Sequence, residues 1–124
     1  MSKIKSSSTH QENKQLLEAE CPEIYAANQI SGQWTVAICC CLAIGTRRFG
    51  ELKKELPTIT ERILTLELKK LEQRQLIVRT VYAEVPVRVE YELTEIGREL
   101  VPIMEQLQHW GIRHKAWVSR EQTV

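Results

Sequence analysis

Arg62, Thr65, Leu66 and Lys69 have types and spacing that could do recognition chemistry. At about 100° per residue they share one side of a helix, and Leu64, Leu68 and Leu71 fall on nearly the opposite side. Two cations, a hydroxyl and an apolar tip, backed by leucines, suit the major groove of duplex DNA. Arginine and lysine can meet phosphates or guanine edges, threonine can meet either, and Leu66 can touch a thymine methyl. The bland alternative is a solvated outer face, because two amphipathic helices and a turn are common.

Other chemistries find little support. The chain has no Asp at all, and no carboxylate pair, nucleophile–base spacing or phosphate loop stands out. An enzyme is therefore not expected, and neither is a cofactor. Three of the four cysteines are consecutive, Cys39-Cys40-Cys41. Neighbours on a helix splay about 100° apart, so three in a row cannot face one metal ion. Packing is the expected role for this trio, since cysteine behaves as a small hydrophobe inside proteins. His10, His109 and His114 show no metal-ligand spacing and sit far from the cysteines in sequence, so core or interface positions are expected. No metal site is expected.

The elements that must position the four recognition residues can be read around them. Leu52 and Leu56 lie at i, i+4 within Gly50 to Leu56, one turn of an amphipathic helix. Pro57 ends it, because the residue before a proline is pushed out of the α region. Thr60 can cap the next helix. Upstream, Trp34 to Ile44 is strongly apolar and reads as a buried central helix ended by Gly45. Downstream the period changes. Leu76 to Tyr82 is rich in β-branched residues, and Val87 to Leu93 alternates cleanly between apolar and charged. Ala83-Glu84-Val85-Pro86 is short enough for a hairpin tip between them. A helix pair followed by a β-hairpin is the order of a winged helix.

The ends complete the outline. Met1 to Thr9 is expected to be frayed, with helix from near His10 through Leu17. Pro22 is placed to open a new helix, carrying Ile24, Ala27 and Ile30 on one side, and Ser31-Gly32 punctuates it. Thr94 caps the last helix. Ile96, Leu100, Ile103, Leu107, Trp110, His114 and Trp117 recur there at threes and fours, with Val101, Met104 and Val118 widening the stripe. Pro102 is expected to bend it. So apolar a face on so small a domain predicts a second subunit. The expected organisation is a tail and the start of a helix over residues 1–20, one winged-helix domain over 21–118, and a tail over 119–124.

Composition sets the bounds. The 124 residues carry 17 Lys+Arg against 16 Asp+Glu, a net charge of +1. The distribution is more telling: from Arg47 to Arg88 there are ten Lys+Arg and six acids, a modest basic excess over the recognition stretch. No apolar run approaches the roughly 18–20 residues of a membrane span. No signal-peptide region opens the chain, so no membrane partner and a cytoplasmic location are expected.

Taken together, these segments resemble the HxlR-type winged helix-turn-helix regulators, relatives of the MarR group. The resemblance rests on Cys21-Pro22, the SGQWT segment from Ser31 to Thr35, and RRFGEL from Arg47 to Leu52. It also rests on the ladder Leu64, Leu68, Leu71, on EVPVRVEYELTEIG from Glu84 to Gly97, and on Trp110-Gly111. The resemblance implies a mainly α fold with a small β-hairpin wing, dimeric through its N- and C-terminal helices. It implies a sequence-specific transcriptional regulator, a repressor on a palindromic operator, bound to double-stranded DNA. Arg62, Thr65, Leu66 and Lys69 would enter the groove. Arg88 would reach the flanking backbone from the wing, and Arg47 and Arg48 would touch phosphates. Cys21 matches the family's sensing cysteine, and a helix start favours thiolate, so an oxidant, electrophile or other small-molecule effector is implied. The alternative is a winged-helix protein–protein adaptor that no longer binds DNA. It is motivated by departures from the pattern: Gln33 where a lysine is usual, and Glu61 and Glu67 on or beside the recognition helix. Glu61 suits a helix first turn, and Glu67 is expected to lie nearer the buried side.

Overall fold

Helix forms wherever the apolar spacing demands it, and strand only where β-branched residues alternate. The computed structural model describes residues 6–122. The chain divides into two compact units, Met1–Gly32 and Gln33–Val124.

The first unit holds α1 (Ser6–Glu20) and α2 (Pro22–Gln29), packed on each other. Asn28 donates from Nδ2 to Glu18 at 2.8 Å, tying the two helices. Cys21 is the extended residue between them, with Pro22 opening α2, where its missing N–H costs nothing. Gly32 has φ 120°, a conformation side-chained residues rarely adopt. Helix begins earlier than the sequence reading has it. Ser6 to Thr9 belong to α1, consistent with the preference of hydroxyl residues for helix starts. The rest of the expected frayed segment, residues 1–5, lies outside the described residues.

The second unit contains α3 (Thr35–Ile44), α4 (Phe49–Glu55), α5 (Glu61–Gln73), β1 (Ile77–Tyr82), β2 (Arg88–Leu93), α6 (Glu95–Arg98) and α7 (Leu100–Gln122). Its core gathers Ile38, Cys39 and Leu42 of α3, Leu52 of α4, and Leu64, Leu68 and Leu71 of α5. Ile59 fills the turn between α4 and α5; Tyr91 and Leu93 supply the sheet side. The strands pair antiparallel from Ile77 opposite Leu93 to Tyr82 opposite Arg88. Arg47 bridges the free edge of β2, its N–H donating to the Tyr91 carbonyl at 3.0 Å and its carbonyl accepting from Tyr91 N–H at 2.8 Å. The winged helix read from the sequence is present.

Three local details depart from it. Gly45 follows α3 in extended backbone (φ 167°), so α3 does not end in a left-handed glycine cap. The last helical segment is two helices. Thr94 caps the short α6, accepting from Gly97 N–H at 3.0 Å and donating to the Gln75 carbonyl at 2.7 Å. A Cβ on Gly97 would lie 2.2 Å from the Leu76 carbonyl oxygen, which is why this position is glycine. The break falls at Glu99, and Pro102 sits in the first turn of α7, where the N–H that proline lacks would have had no acceptor within the helix. Pro102 therefore need not bend the helix. Finally, α7 continues through Gln122, so residues 119–122 are helix rather than tail, and residues 123–124 lie outside the described residues.

Candidate nucleic-acid interface

The helix pair α4–α5 is set by local chemistry. Glu51 accepts the Arg48 N–H at 2.7 Å, capping α4. Thr60 Oγ1 accepts the Ile63 N–H at 3.1 Å, capping α5. Leu64, Leu68 and Leu71 are buried along α5. That leaves the opposite side outward: Arg62, Thr65, Leu66 and Lys69 are all exposed, Leu66 with about half its surface free. The structure thus brings these four together on one solvent-facing side.

Their charges are uncommitted. Among the described residues neither Arg62 nor Lys69 makes an ion pair. The acids on α5 are placed harmlessly. Glu61 lies in the first turn, where the helix dipole favours it. Glu67 is turned inward, accepting from the buried Thr35 hydroxyl at 3.3 Å and pairing with Lys70 at 3.1 Å. Thr65 is partly occupied: its hydroxyl donates to the Glu61 carbonyl at 2.8 Å, leaving lone pairs outward and no free proton.

The other sequence candidates behave differently. Arg48 is exposed at the start of α4. Arg47 is half-buried, with Nε on Glu55 at 2.8 Å and an Nη on the Thr46 carbonyl. Arg88 is held inside the wing. It pairs with Glu84 at 2.8 Å and with Glu90, and its guanidinium lies 3.7 Å from the centre of the Tyr82 ring. The hydrogen bonds Arg88 donates to Glu84 and then to Glu90 raise its pKa further, and Arg88 holds the Glu84 carboxyl below its usual range. Arg88 is thus already engaged at the site from which the sequence reading has it reach DNA. Its partners stand at i−4 and i+2, and the second shares its side of the strand.

Sequence reasoning also passes over Arg79. This exposed arginine on β1 lines a cleft of about 410 Å³ with Thr65, Leu68, Lys69, Glu72 and Tyr91. The signal available was its place in a strand that starts directly after α5.

The HxlR-like helix-turn-helix family matches residues 29–121. The chain belongs to that family. An HTH-type transcriptional regulator of Methanothermobacter thermautotrophicus, itself uncharacterised, is 46% identical over 91 residues, 73% of this chain and 70% of that one. Among solved structures, the redox regulator HypR in its reduced form is 37% identical with a TM-score of 0.75, covering 80% of this chain and 98% of that one. The reduced transcriptional regulator YodB from B. subtilis is 35% identical with a TM-score of 0.67, covering 73% and 89%. This HxlR-like chain is a DNA-binding transcriptional regulator of the HTH type, not an enzyme.

The four thiols have separate fates. Cys39 is fully buried, which pushes its pKa up to about 11. Cys41 is half-buried and raised to about 11 by burial and then by Glu55. Cys40 is exposed. The expected splay of the trio is present, but packing describes Cys39 and in part Cys41, not Cys40. Cys21 is half-buried at the head of α2, two residues before Glu23. Glu23's own backbone N–H, and then that thiol, hold its carboxyl below the usual range. Among the described residues no group of three or more His, Cys, Asp or Glu is placed to hold a metal ion, and no helix is long and apolar enough to cross a membrane.

Proposed function

We propose that the protein is a homodimeric repressor that reads a palindromic DNA site with α5 of each subunit in the major groove. The observation that carries this is the outward side of α5, where among the described residues Arg62 and Lys69 make no ion pair and stand exposed beside Thr65 and Leu66. Arg62 and Lys69 supply cations for guanine edges or flanking phosphates, and Leu66 an apolar contact for a thymine methyl. Thr65, its proton donated to Glu61, is suited to accept from an adenine or cytosine amino group. Arg48 is placed for a phosphate. Arg47 and Arg88 position the wing rather than touch DNA.

The dimer reading rests on apolar surface. Ile103, Leu107, Trp110 and Trp117 of α7 each keep roughly half their surface exposed, while Met104 is buried in the core and Leu100 and Val101 pack against it. In α1, Leu16 and Leu17 are exposed as well. Faces of this kind on both terminal helices suit burial against a second copy. A twofold protein also matches a palindrome. The site of action is the cytoplasm.

For regulation, Cys21 is the proposed thiol switch, with an oxidant or electrophile as effector. HypR is described as a redox regulator, and YodB has been studied after diamide treatment. Sedimentation and gel-shift titration against the DNA upstream of the protein's own operon test the reading. A dimer that binds a discrete site is expected, released or tightened by diamide. A monomer, or no retained duplex, overturns the main reading. An unaltered diamide response in Cys21→Ser overturns the switch alone.

A further inference from the structure

We propose that the wing grips a DNA backbone phosphate at its root, in the cleft between α5 and β1, through Arg79 and Lys69. This rests on the reading that α5 enters the major groove. The groove is about 12 Å wide and a helix with its side chains about 10–12 Å. A helix seated there has sugar-phosphate backbone along its flanks. Groups beside α5, not beyond it, are the first to meet phosphate.

The cleft is built for an anion on three counts. Lys69 and Arg79 both line it, and among the described residues neither is paired with a carboxylate. Glu72 is its one acid, so the lining carries one net positive charge. Arg79 stands on a fixed base: it is opposite Tyr91, whose other side is bridged by Arg47. A guanidinium on a rigid strand presents the planar fork that matches phosphate oxygens, with a lysine as the supporting point charge.

The wing's outer part has the opposite balance. Arg88 lies between Glu84 and Glu90, which leaves one net negative charge. An approaching phosphate is drawn to the root and turned away from the tip. Val85 and Val87, both exposed beyond the pairs, add no charge there.

Anisotropy titration of the full chain on an arbitrary-sequence duplex, across a salt series, separates these places without knowledge of the operator. Nonspecific affinity is nearly all phosphate contact, and log K falls with log salt by about 0.9 for each phosphate neutralised. Arg79→Gln is expected to weaken binding and flatten the slope by about 0.9 for each phosphate no longer neutralised. Arg79→Lys restores the slope, Glu72→Gln tightens binding, and Arg88→Gln leaves the slope at the parent value. A parent-like slope in Arg79→Gln, no tightening in Glu72→Gln, or a flattened slope in Arg88→Gln overturns the proposal while the parent still binds. A parent that binds no duplex overturns the reading beneath it. Thermal melts of each variant separate weakened phosphate binding from an unfolded protein.

Discussion

The helix α5 and the wing carry the same kind of charge and handle it in opposite ways. On α5 the leucines lie inward and the cations outward, and Glu67 is drawn off by Thr35 and Lys70. On the wing, Arg88 is taken up by Glu84, Glu90 and the Tyr82 ring. A cation available to a partner differs from a cation in the sequence, and the nearest carboxylates on the same face decide which it is. One region is held by apolar burial and, among the described residues, leaves Arg62 and Lys69 out of ion pairs. The other uses its charges on itself.

The largest expected effect comes from the burial that orients α5. Leu68 is 1% exposed, and Leu68→Ala should cost about 2–5 kcal/mol in denaturant unfolding. A loss below about 1 kcal/mol would mean that the leucine ladder does not anchor the helix. Next is the polar link between α3 and α5. Thr35 is fully buried and donates to the Glu67 carboxylate. Thr35→Val removes a bond to a charged acceptor and should cost about 1–3 kcal/mol in the same measurement.

The wing should respond less in stability and in the opposite sense in binding. Arg88→Ala should lower Tm by less than Thr35→Val does, because ion pairs that solvent still reaches contribute little. Glu84→Gln with Glu90→Gln should free the Arg88 guanidinium and raise affinity for arbitrary duplex several-fold, read by anisotropy at low salt. No gain would show that Arg88 is not restrained by these acids. The smallest effect is in acid. Glu84's carboxyl is held below its ordinary value of 4.5. Its contribution is therefore present above that value and fades as pH falls through the lowered one. Amide protection factors at the hairpin, corrected for the intrinsic pH dependence of exchange, should be steady from neutral pH to about 5 and fall only below it.

Much of this architecture is legible in the residues. The i, i+4 leucines place α4 and α5, Thr60 and Thr94 mark the starts of α5 and α6, and alternation from Val87 to Leu93 marks β2 closely. These are local rules, so a single sequence states them. What it does not state is pairing across elements. Arg47 reaches Glu55 and the backbone of Tyr91, and Arg79 reaches the α5 cleft, only once β1 and β2 fold against the helices. Arg88 is the intermediate case. Both its acids are near in sequence, yet their joint capture of the guanidinium depends on the hairpin's return. At the C-terminus the threonine cap marks a helix start, but the break at Glu99 depends on how α6 and α7 pack.

The contrast between the two regions can be tested directly by titrating three proteins on one duplex carrying the operator: the parent, Arg62→Ala with Lys69→Ala, and Arg88→Ala. The α5 double variant should lose about ten- to a hundredfold in affinity while Arg88→Ala stays close to the parent. Parent-like binding by the α5 variant, with the loss falling on Arg88→Ala instead, would contradict the assignment of DNA reading to the outward side of α5.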